Sequence, residues 1–184
     1  MQRSLILNDI VDVNADALIY STNYQLMLSG GVGACLYQKF GNEFQNDLYR
    51  KIDSLGRKCA NIGEVFFSDM QEGPWKVIVH TVATDPFYHT DPAIVRTILR
   101  QAFAYLADCL TVKTVVMSLL GTGYGDLPID SFLKIVTDES RAFEESNIEH
   151  VMICCDSIQM FRELAATAKE IFDEKDTTKI WHWE

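Results

Sequence analysis

Residues 121–128 read Gly-Thr-Gly-Tyr-Gly-Asp-Leu-Pro, between an apolar run at residues 114–120 and a helical pattern. Glycine reaches positive φ angles and has no side chain to clash, so a strand ending in such a loop is typical of α/β folds whose backbone approaches a phosphate. Residues 29–34, Ser-Gly-Gly-Val-Gly-Ala, have the same character, and the two stretches hold six of the ten glycines. We therefore expect the two loops to face each other across one diphosphate.

Composition limits the partners of the chain. Its 184 residues, 48% of them hydrophobic, suit one domain with a sizeable core. The formal net charge of −10 repels polyanions and argues against nucleic acid or an anionic membrane surface as the main partner. Lysine and arginine are absent from residues 4–38 and 114–133, so backbone amides would have to hold an anion in the glycine loops.

The five cysteines form no C-x-x-C pair and no cluster at zinc spacing. We expect free thiols of a reducing compartment, with no metal and no cofactor. Cys35, beside the first glycine loop, suits a packing role, with a catalytic nucleophile as the alternative. The sequence shows no basic-then-apolar leader and no run of about 18 apolar residues, which predicts a soluble cytoplasmic protein without a membrane span.

Hydrophobic periodicity predicts an α/β fold, a central mixed sheet flanked by helices on both faces. The predicted strands are residues 4–7, 16–20, 64–68, 75–82, 114–120 and 151–155. The predicted helices are residues 34–56 with a break at Gly41, 93–110, 129–146, and a closing helix that Asp156 or Ser157 caps. We expect one domain over residues 1–172 and a tail over 173–184, whose Trp181-His182-Trp183 docks on the body or on another subunit.

Neither glycine loop carries a complete nucleotide motif. A Walker loop would need Gly-Lys-Ser/Thr, which is absent, and a dinucleotide fingerprint would need glycine at position 126, where Asp126 stands. Taken singly, each loop also fits an ordinary tight turn. Whether the loops bind a nucleotide must therefore be judged from the other segments of the sequence.

Several short segments together resemble the macrodomain, the ADP-ribose-binding α/β/α module. They are Asp9-Ile10, then Asp-Ala-Leu-Ile at residues 16–19, Asn23, Gly-Gly-Val at 30–32 and the stretch at 121–128. The family typically runs Gly-Asp-Ile-Thr, then Asp-Ala-Ile-Val-Asn-Ala-Ala-Asn, then Gly-Gly-Gly-Val-Asp-Gly, and later Ser-Thr-Gly. The interval from Asp9 to Asn23 agrees with that of the family, and the resemblance covers nearly the whole chain.

The resemblance implies a role for each matching residue. Asp9 would accept a hydrogen bond from the adenine amino group, Ile10 would add an apolar wall, and Asn23 would bind the distal ribose. Asp156 would lie beside the adenine. The diphosphate and proximal ribose would be wrapped by Gly31, Val32, Gly33, Gly121, Thr122, Gly123, Tyr124 and Gly125, with Tyr124 over the distal ribose. The alternatives are a turn aspartate at position 9, a cap or turn asparagine at 23 and an exposed loop tyrosine at 124.

Departures from the family pattern bear on catalysis. Where the hydrolytic branch has Val-Asp-Gly, residues 32–34 read Val-Gly-Ala, so the acidic residue associated with hydrolysis is missing at Gly33. Tyr20 replaces the first asparagine of the Asn-Ala-Ala-Asn run. Asp85, His89 and Asp126 are the candidates for a replacement acid or base.

Three functions fit the sequence. The first is a module that binds ADP-ribose, free or attached to a protein. The second is a hydrolase of ADP-ribosyl esters or O-acetyl-ADP-ribose, with Asn23 as its catalytic residue. The third is a structural or oligomerising domain that has lost the ligand. The sequence does not indicate the oligomeric state.

Overall fold

The computed structural model describes residues 1–71, 73–173 and 176–180. The chain forms strands that alternate with helices along most of its length. The strands are β1 (Gln2–Leu7), β2 (Ala17–Ser21), β3 (Val65–Asp69), β4 (Val77–Thr81), β5 (Thr114–Met117), β6 (His150–Cys155) and β7 (Thr177–Ile180). The helices are α1 (Gly31–Ser54), α2 (Pro92–Asp108), α3 (Ile129–Arg141) and α4 (Ile158–Ile171), and a 3-10 turn spans Ile10–Asp12. No described helix is long and apolar enough to cross a membrane.

The described strands form one sheet in the order β3-β4-β2-β5-β6-β1-β7. Neighbouring strands run parallel except β3, which is antiparallel to β4. The central strand β2 is buried on both faces, which its apolar sequence Ala-Leu-Ile-Tyr favours. The loops that follow β1, β2, β4, β5 and β6 therefore leave the sheet at a single edge.

Helices cover both faces of the sheet, which confirms the predicted three-layer α/β/α architecture. On one face, Leu36 and Leu48 of α1 pack with Leu18 of β2. On the other face, Phe103 of α2 and Phe132 of α3 belong to the same core as Ile19. The alternating side chains of β2 thus reach two separate hydrophobic cores, one on each side of the sheet.

The helices follow their sequence signals with shifted ends. Gly41 has φ 72° and ψ −161° inside α1, so the predicted break is confirmed. Pro92 occupies the first turn of α2, and Ser157 caps α4 by accepting a hydrogen bond from the Met160 amide. Helix α3 ends at Arg141 rather than at residue 146, because the chain continues in turns such as the Ser146 amide to Phe143 carbonyl bond of 3.0 Å.

Asp16 fixes the register of β2 at the edge of the sheet opposite these loops. Its Oδ2 accepts hydrogen bonds from the amides of Lys113 and Thr114 at 2.8 and 2.9 Å, and its Oδ1 lies 2.7 Å from Lys76 Nζ. Burial alone would raise the pKa of Asp16, but these donors outweigh burial and lower the pKa to about 2. The Asp16 carboxylate therefore links the starts of β2 and β5.

The strand β7 lies within the segment that the sequence assigned to a tail, and it pairs with β1 from Ser4↔Thr177 to Leu7↔Ile180. The buried Arg3 holds the chain just before this strand. Its amide and Nε donate to Asp176 at 2.7 and 3.1 Å, and its Nη2 donates to Asp173 at 2.9 Å. The domain boundary at residue 172 stays a prediction, and Trp181-His182-Trp183 lies outside the described residues.

Replacing Arg3 by methionine should lower the free energy of unfolding by about 3–5 kcal/mol, because the buried Asp176 carboxylate would lose its countercharge. Urea denaturation measures the change. The matched control is Arg50→Met, whose ion pair with Asp47 is exposed and should contribute less than about 1 kcal/mol. Equal effects of the two substitutions would contradict an anchoring role for Arg3.

Candidate functional site

Two cavities lie at the edge of the sheet where the parallel strands end, which is where ligands bind in open α/β sheets. The first has a volume of about 300 Å³ and the second about 430 Å³. Of the residues expected to bind a ligand, the first cavity is lined by Asp9, Ile10, Gly31, Val32, Thr122, Gly123 and Asp156. The second is lined by Asn23, Gly31, Val32, Gly121, Gly123, Tyr124 and Gly125.

The two cavities are halves of one cleft. Both are lined by Gly31 and Val32 from the first glycine loop, by Gly123 from the second, and by Ser118 and Leu119. The two loops therefore meet where the cavities join. We call the half at Asp9 the proximal half and the half at Asn23 the distal half.

Among the residues expected to bind a ligand, Gly33 lines neither half of the cleft. It is buried in the first turn of α1, where an added Cβ would lie 3.4 Å from the Leu28 backbone. At the N-terminus of α1, the first hydrogen bond of the helix runs from the Ala34 amide to the Gly30 carbonyl. The amides of Gly31, Val32 and Gly33 thus have no acceptor within the helix and favour an anion at its end.

The amides of the second glycine loop are also available. Within the described chain, the amides of Gly123, Tyr124 and Gly125 donate to no protein acceptor. The described residues that line the two halves include no lysine or arginine, and their charged members are Asp9 and Asp156. An anion in this cleft would therefore be held by main-chain dipoles.

Gly125 makes the shape of the second loop possible. A Cβ at this position would collide with the Gly121 carbonyl oxygen and lie 2.9 Å from Thr84 Cγ2. The Leu127 amide also donates to the Gly121 carbonyl at 3.1 Å, which closes the loop. The loop thus folds back on itself so tightly that position 125 has no room for a side chain.

Asp9 begins the 3-10 turn at Ile10–Asp12. Its Oδ1 accepts a hydrogen bond from the Val11 amide at 3.1 Å, which is the turn role considered as an alternative. Its Oδ2 accepts no hydrogen bond from the described residues, and the side chain lines the proximal half. The capping role and a ligand contact are therefore compatible, since they use different oxygens.

Asn23 organises the loop that leads to the first glycines. Its Oδ1 accepts from the amides of Gln25 and Met27, both at 3.0 Å, and its Nδ2 donates to the Met27 carbonyl and the Ser29 hydroxyl at 3.0 and 3.3 Å. The side chain thus fills its hydrogen-bonding capacity within the loop. A ligand that bound Asn23 would have to displace one of these partners, the Ser29 hydroxyl being the more distant.

Each candidate replacement acid or base is already bonded to the loops. Asp85 Oδ1 accepts from the amides of Phe87 and His89 at 2.8 Å each, and the hydrogen bond from the His89 amide does most to lower the Asp85 pKa. His89 Nδ1 lies 3.4 Å from Asp85 Oδ2. Asp126 accepts from the Thr90 amide at 2.9 Å, while α3 begins after Pro128 without a side-chain cap.

The Cys35 thiol lines the proximal half with Cys154 and Cys155. Burial raises the Cys35 pKa, and the charges of Asp9 and Asp156 raise it further. Because the thiolate is the reactive form, this environment opposes the nucleophile alternative for Cys35.

Tyr20, which replaces a family asparagine, lies in the core between α1 and the sheet. A hydrogen bond of 2.7 Å joins its hydroxyl to His80 Nδ1, and His80 Nε2 lies 3.0 Å from Ser68 Oγ. Burial, followed by the charge of Lys51, lowers the His80 pKa to about 3. The neutral imidazole therefore completes a buried polar chain.

Several cleft residues were not expected from the sequence. Ser118 and Leu119 directly follow β5, so their position at the carboxyl end of a central strand was the available signal. Thr22 lines the distal half with only 7% of its surface exposed, and its Oγ1 has no hydrogen-bond partner among the described residues. Thr84 and Tyr88 come from the loop after β4.

A larger cavity of about 600 Å³ lies beside the outermost strand, β3. Leu55, Ile62, Ile94 and Glu64 are among its lining residues. Glu64 is paired with Arg57 at 2.8 Å. No group of three or more potential metal ligands converges here or elsewhere among the described residues.

A model of the macrodomain family matches residues 19–136. The chain belongs to the macrodomain family. This macrodomain is 24% identical over 169 residues to an uncharacterized protein of Saccharolobus solfataricus. The matched region covers 87% of this chain and 90% of that protein. An uncharacterized protein of Aquifex aeolicus is 23% identical over 154 residues, covering 83% and 89% of the two chains.

Solved structures share this macrodomain's fold. A mutant Oceanobacillus iheyensis macrodomain with ADPR superimposes with a TM-score of 0.75 at 18% identity, covering 90% of this chain and 91% of that one. A Trypanosoma brucei macrodomain in complex with ADP-ribose gives 0.73 at 18% identity, covering 90% and 68%. This chain spans 65% to 69% of the trypanosomal chains that it matches.

Replacing Gly125 by alanine should lower the free energy of unfolding of this macrodomain by about 1–3 kcal/mol, because the new methyl group would force the second glycine loop to shift. Chemical denaturation measures the change. Gly123→Ala is the matched control, since a Cβ there meets nothing within 4 Å and should change stability by less than about 0.5 kcal/mol. A Gly125→Ala protein as stable as the control would show that the loop adapts freely.

Proposed function

We propose that this macrodomain binds ADP-ribose, or an ADP-ribosyl group on a protein, in the cleft between its two glycine loops. The observation that carries the proposal is the meeting of both loops at the junction of the two halves, with main-chain amides available on each side. A diphosphate at the junction would receive hydrogen bonds from the start of α1 and from residues 123–125. The ADP-ribose complexes of the Oceanobacillus and Trypanosoma macrodomains support this choice of ligand.

The orientation of the ligand follows from the two ends of the cleft. The adenine lies in the proximal half, where Asp9 accepts a hydrogen bond from its amino group and Ile10 supplies an apolar wall. Asp156, directly after β6, lines the same half beside the adenine. The terminal ribose lies in the distal half beside Asn23 and Tyr124.

Binding without turnover is better supported than hydrolysis. Gly33 provides no acid, and Asn23 already uses its donors and acceptors within its loop. The carboxylates of Asp85 and Asp126 accept hydrogen bonds from loop amides, and the lowered Asp85 pKa makes that carboxylate a weak base. The hydrolase alternative therefore requires a water-activating group among side chains that already hold the loops together.

Electrostatics favour a short ligand over a polymer. The net charge of −10 opposes a long polyanion such as poly-ADP-ribose, which would meet the whole surface, whereas one nucleotide meets chiefly the cleft. The predicted partner is accordingly a single ADP-ribosyl unit, and the predicted compartment remains the cytoplasm.

Asp9→Asn should weaken ADP-ribose binding about tenfold, measured by isothermal titration calorimetry. Asparagine preserves the N-cap of the 3-10 turn, but it presents an amide donor where the adenine amino group needs an acceptor. Asp12→Asn removes a charge from the same turn outside the cleft and should leave the affinity unchanged. Wild-type protein that gives no binding heat would contradict the proposed function, while equal affinities of wild type and Asp9→Asn would contradict the adenine assignment.

Incubation with ADP-ribosylated protein and with O-acetyl-ADP-ribose should release no product above a no-protein blank. Chromatography of the nucleotide products measures release, and Asn23→Ala is tested in parallel. Turnover by the wild type that Asn23→Ala abolishes would replace the binding function by the hydrolase alternative.

A further inference from the structure

Two exposed aromatic side chains lie beside the distal half of the cleft. Tyr88 and Tyr124 have 56% and 78% of their surfaces exposed. Burial normally stabilises such side chains, so a group of them left open beside a cavity marks a surface that meets a partner or ligand. Tyr88 and Tyr124 both line the distal half.

Tyr88 and Tyr124 form a pair across two loops. Their ring centroids lie 5.8 Å apart with an interplanar angle of 39°. Tyr88 belongs to the loop after β4 and Tyr124 to the second glycine loop, and the 2.9 Å hydrogen bond from the Thr90 amide to Asp126 joins these loops. The ring pair is therefore held by contacts outside the rings themselves.

The backbone at Tyr88 is held in an unfavourable conformation. Its φ is 66°, a region that residues with a Cβ rarely adopt. Asp85 maintains this turn, since its carbonyl accepts from the Tyr88 amide at 3.0 Å and its carboxylate accepts from the amides of Phe87 and His89. Strain of this kind persists where the surrounding structure fixes a residue, and it clusters at ligand sites.

The charges around this pair are predominantly negative. Asp85 and Asp126 lie in the two loops that carry the rings, and hydrogen bonds, that of the His89 amide first, keep the Asp85 pKa below its ordinary value. Among described residues, the lining of the distal half contains no lysine or arginine, and the charged residues of the proximal half are Asp9 and Asp156. A positively charged group beside the rings would be attracted both by the carboxylates and by the ring faces.

We propose that the Tyr88–Tyr124 pair is a subsite for a planar cationic ring attached to the terminal ribose, as in oxidised nicotinamide adenine dinucleotide, NAD⁺. The inference rests on the proposed function, because NAD⁺ is ADP-ribose with a pyridinium ring on that ribose and would use the same cleft. Its net charge is one unit less negative than that of ADP-ribose, which suits a cleft without basic side chains. The tyrosine faces supply cation–π attraction that a neutral ring would lack.

Calorimetric titration of the whole chain with ADP-ribose, NAD⁺ and NADH tests the subsite at low ionic strength and pH 8, where an ordinary histidine is neutral. NADH is the matched probe, since its reduced ring is uncharged. We expect NAD⁺ to bind about two- to fivefold more tightly than NADH, the ratio given by an exposed cation–π contact. Equal affinities for NAD⁺ and NADH would overturn the inference without the need for any variant.

Tyr88→Leu should lower the ratio of NAD⁺ to ADP-ribose affinity by a similar two- to fivefold factor, and Tyr88→Phe should preserve it because the ring face remains. Tyr49→Leu, an exposed tyrosine of α1 outside both halves, should leave the ratio unchanged. An unaltered ratio in a folded Tyr88→Leu protein would overturn the inference. Absence of binding for all three nucleotides would instead contradict the proposed function.

Discussion

Parallel pairing of β1, β2, β4, β5 and β6 is the constraint on which the rest of this structure depends. Parallel strands end on the same side of the sheet, so the loops that follow them lie close together even though they are far apart in sequence. Asp16 contributes to this constraint at the opposite edge by joining the starts of β2 and β5. The cleft is therefore a consequence of strand direction and register more than of any single loop.

The absence of basic side chains from the described cleft lining has a physical consequence for recognition. Main-chain amides offer directional hydrogen bonds with partial charges, whereas lysine or arginine would attract any phosphate at a distance. In a protein with a net charge of −10, binding must then depend on close fit. Gly125 contributes to that fit, because the loop closes against Gly121 only when no side chain stands between them.

The fold and most of the residues that line the cleft could be predicted from the sequence, because the signals for them are local. Glycine clusters after apolar runs mark the two loops, and the break at Gly41 and the cap at Ser157 are likewise read from neighbouring residues. Tyr88 could not be assigned in this way, since its position depends on Asp85 in its own loop and on Asp126, 36 residues beyond Thr90. The strand β7 was not predicted because it is only four residues long and follows a polar segment. It forms as an outermost strand beside β1, after Arg3 has bound Asp176, and this contact joins residues that are far apart in sequence.

The pairing of β7 with β1 also determines at which end of the sheet the described part of β7 finishes. Leu7 and Ile180 are paired at the ends of β1 and β7. Strand β7 therefore finishes on the side of the sheet that carries the cleft, next to the residues Asn8 and Asp9 that follow β1. Gln2 enters β1 at the other edge. A fluorescent or affinity tag joined before Gln2 therefore starts on the side of the protein away from the cleft, which makes this a suitable place for surface immobilisation in nucleotide-binding assays.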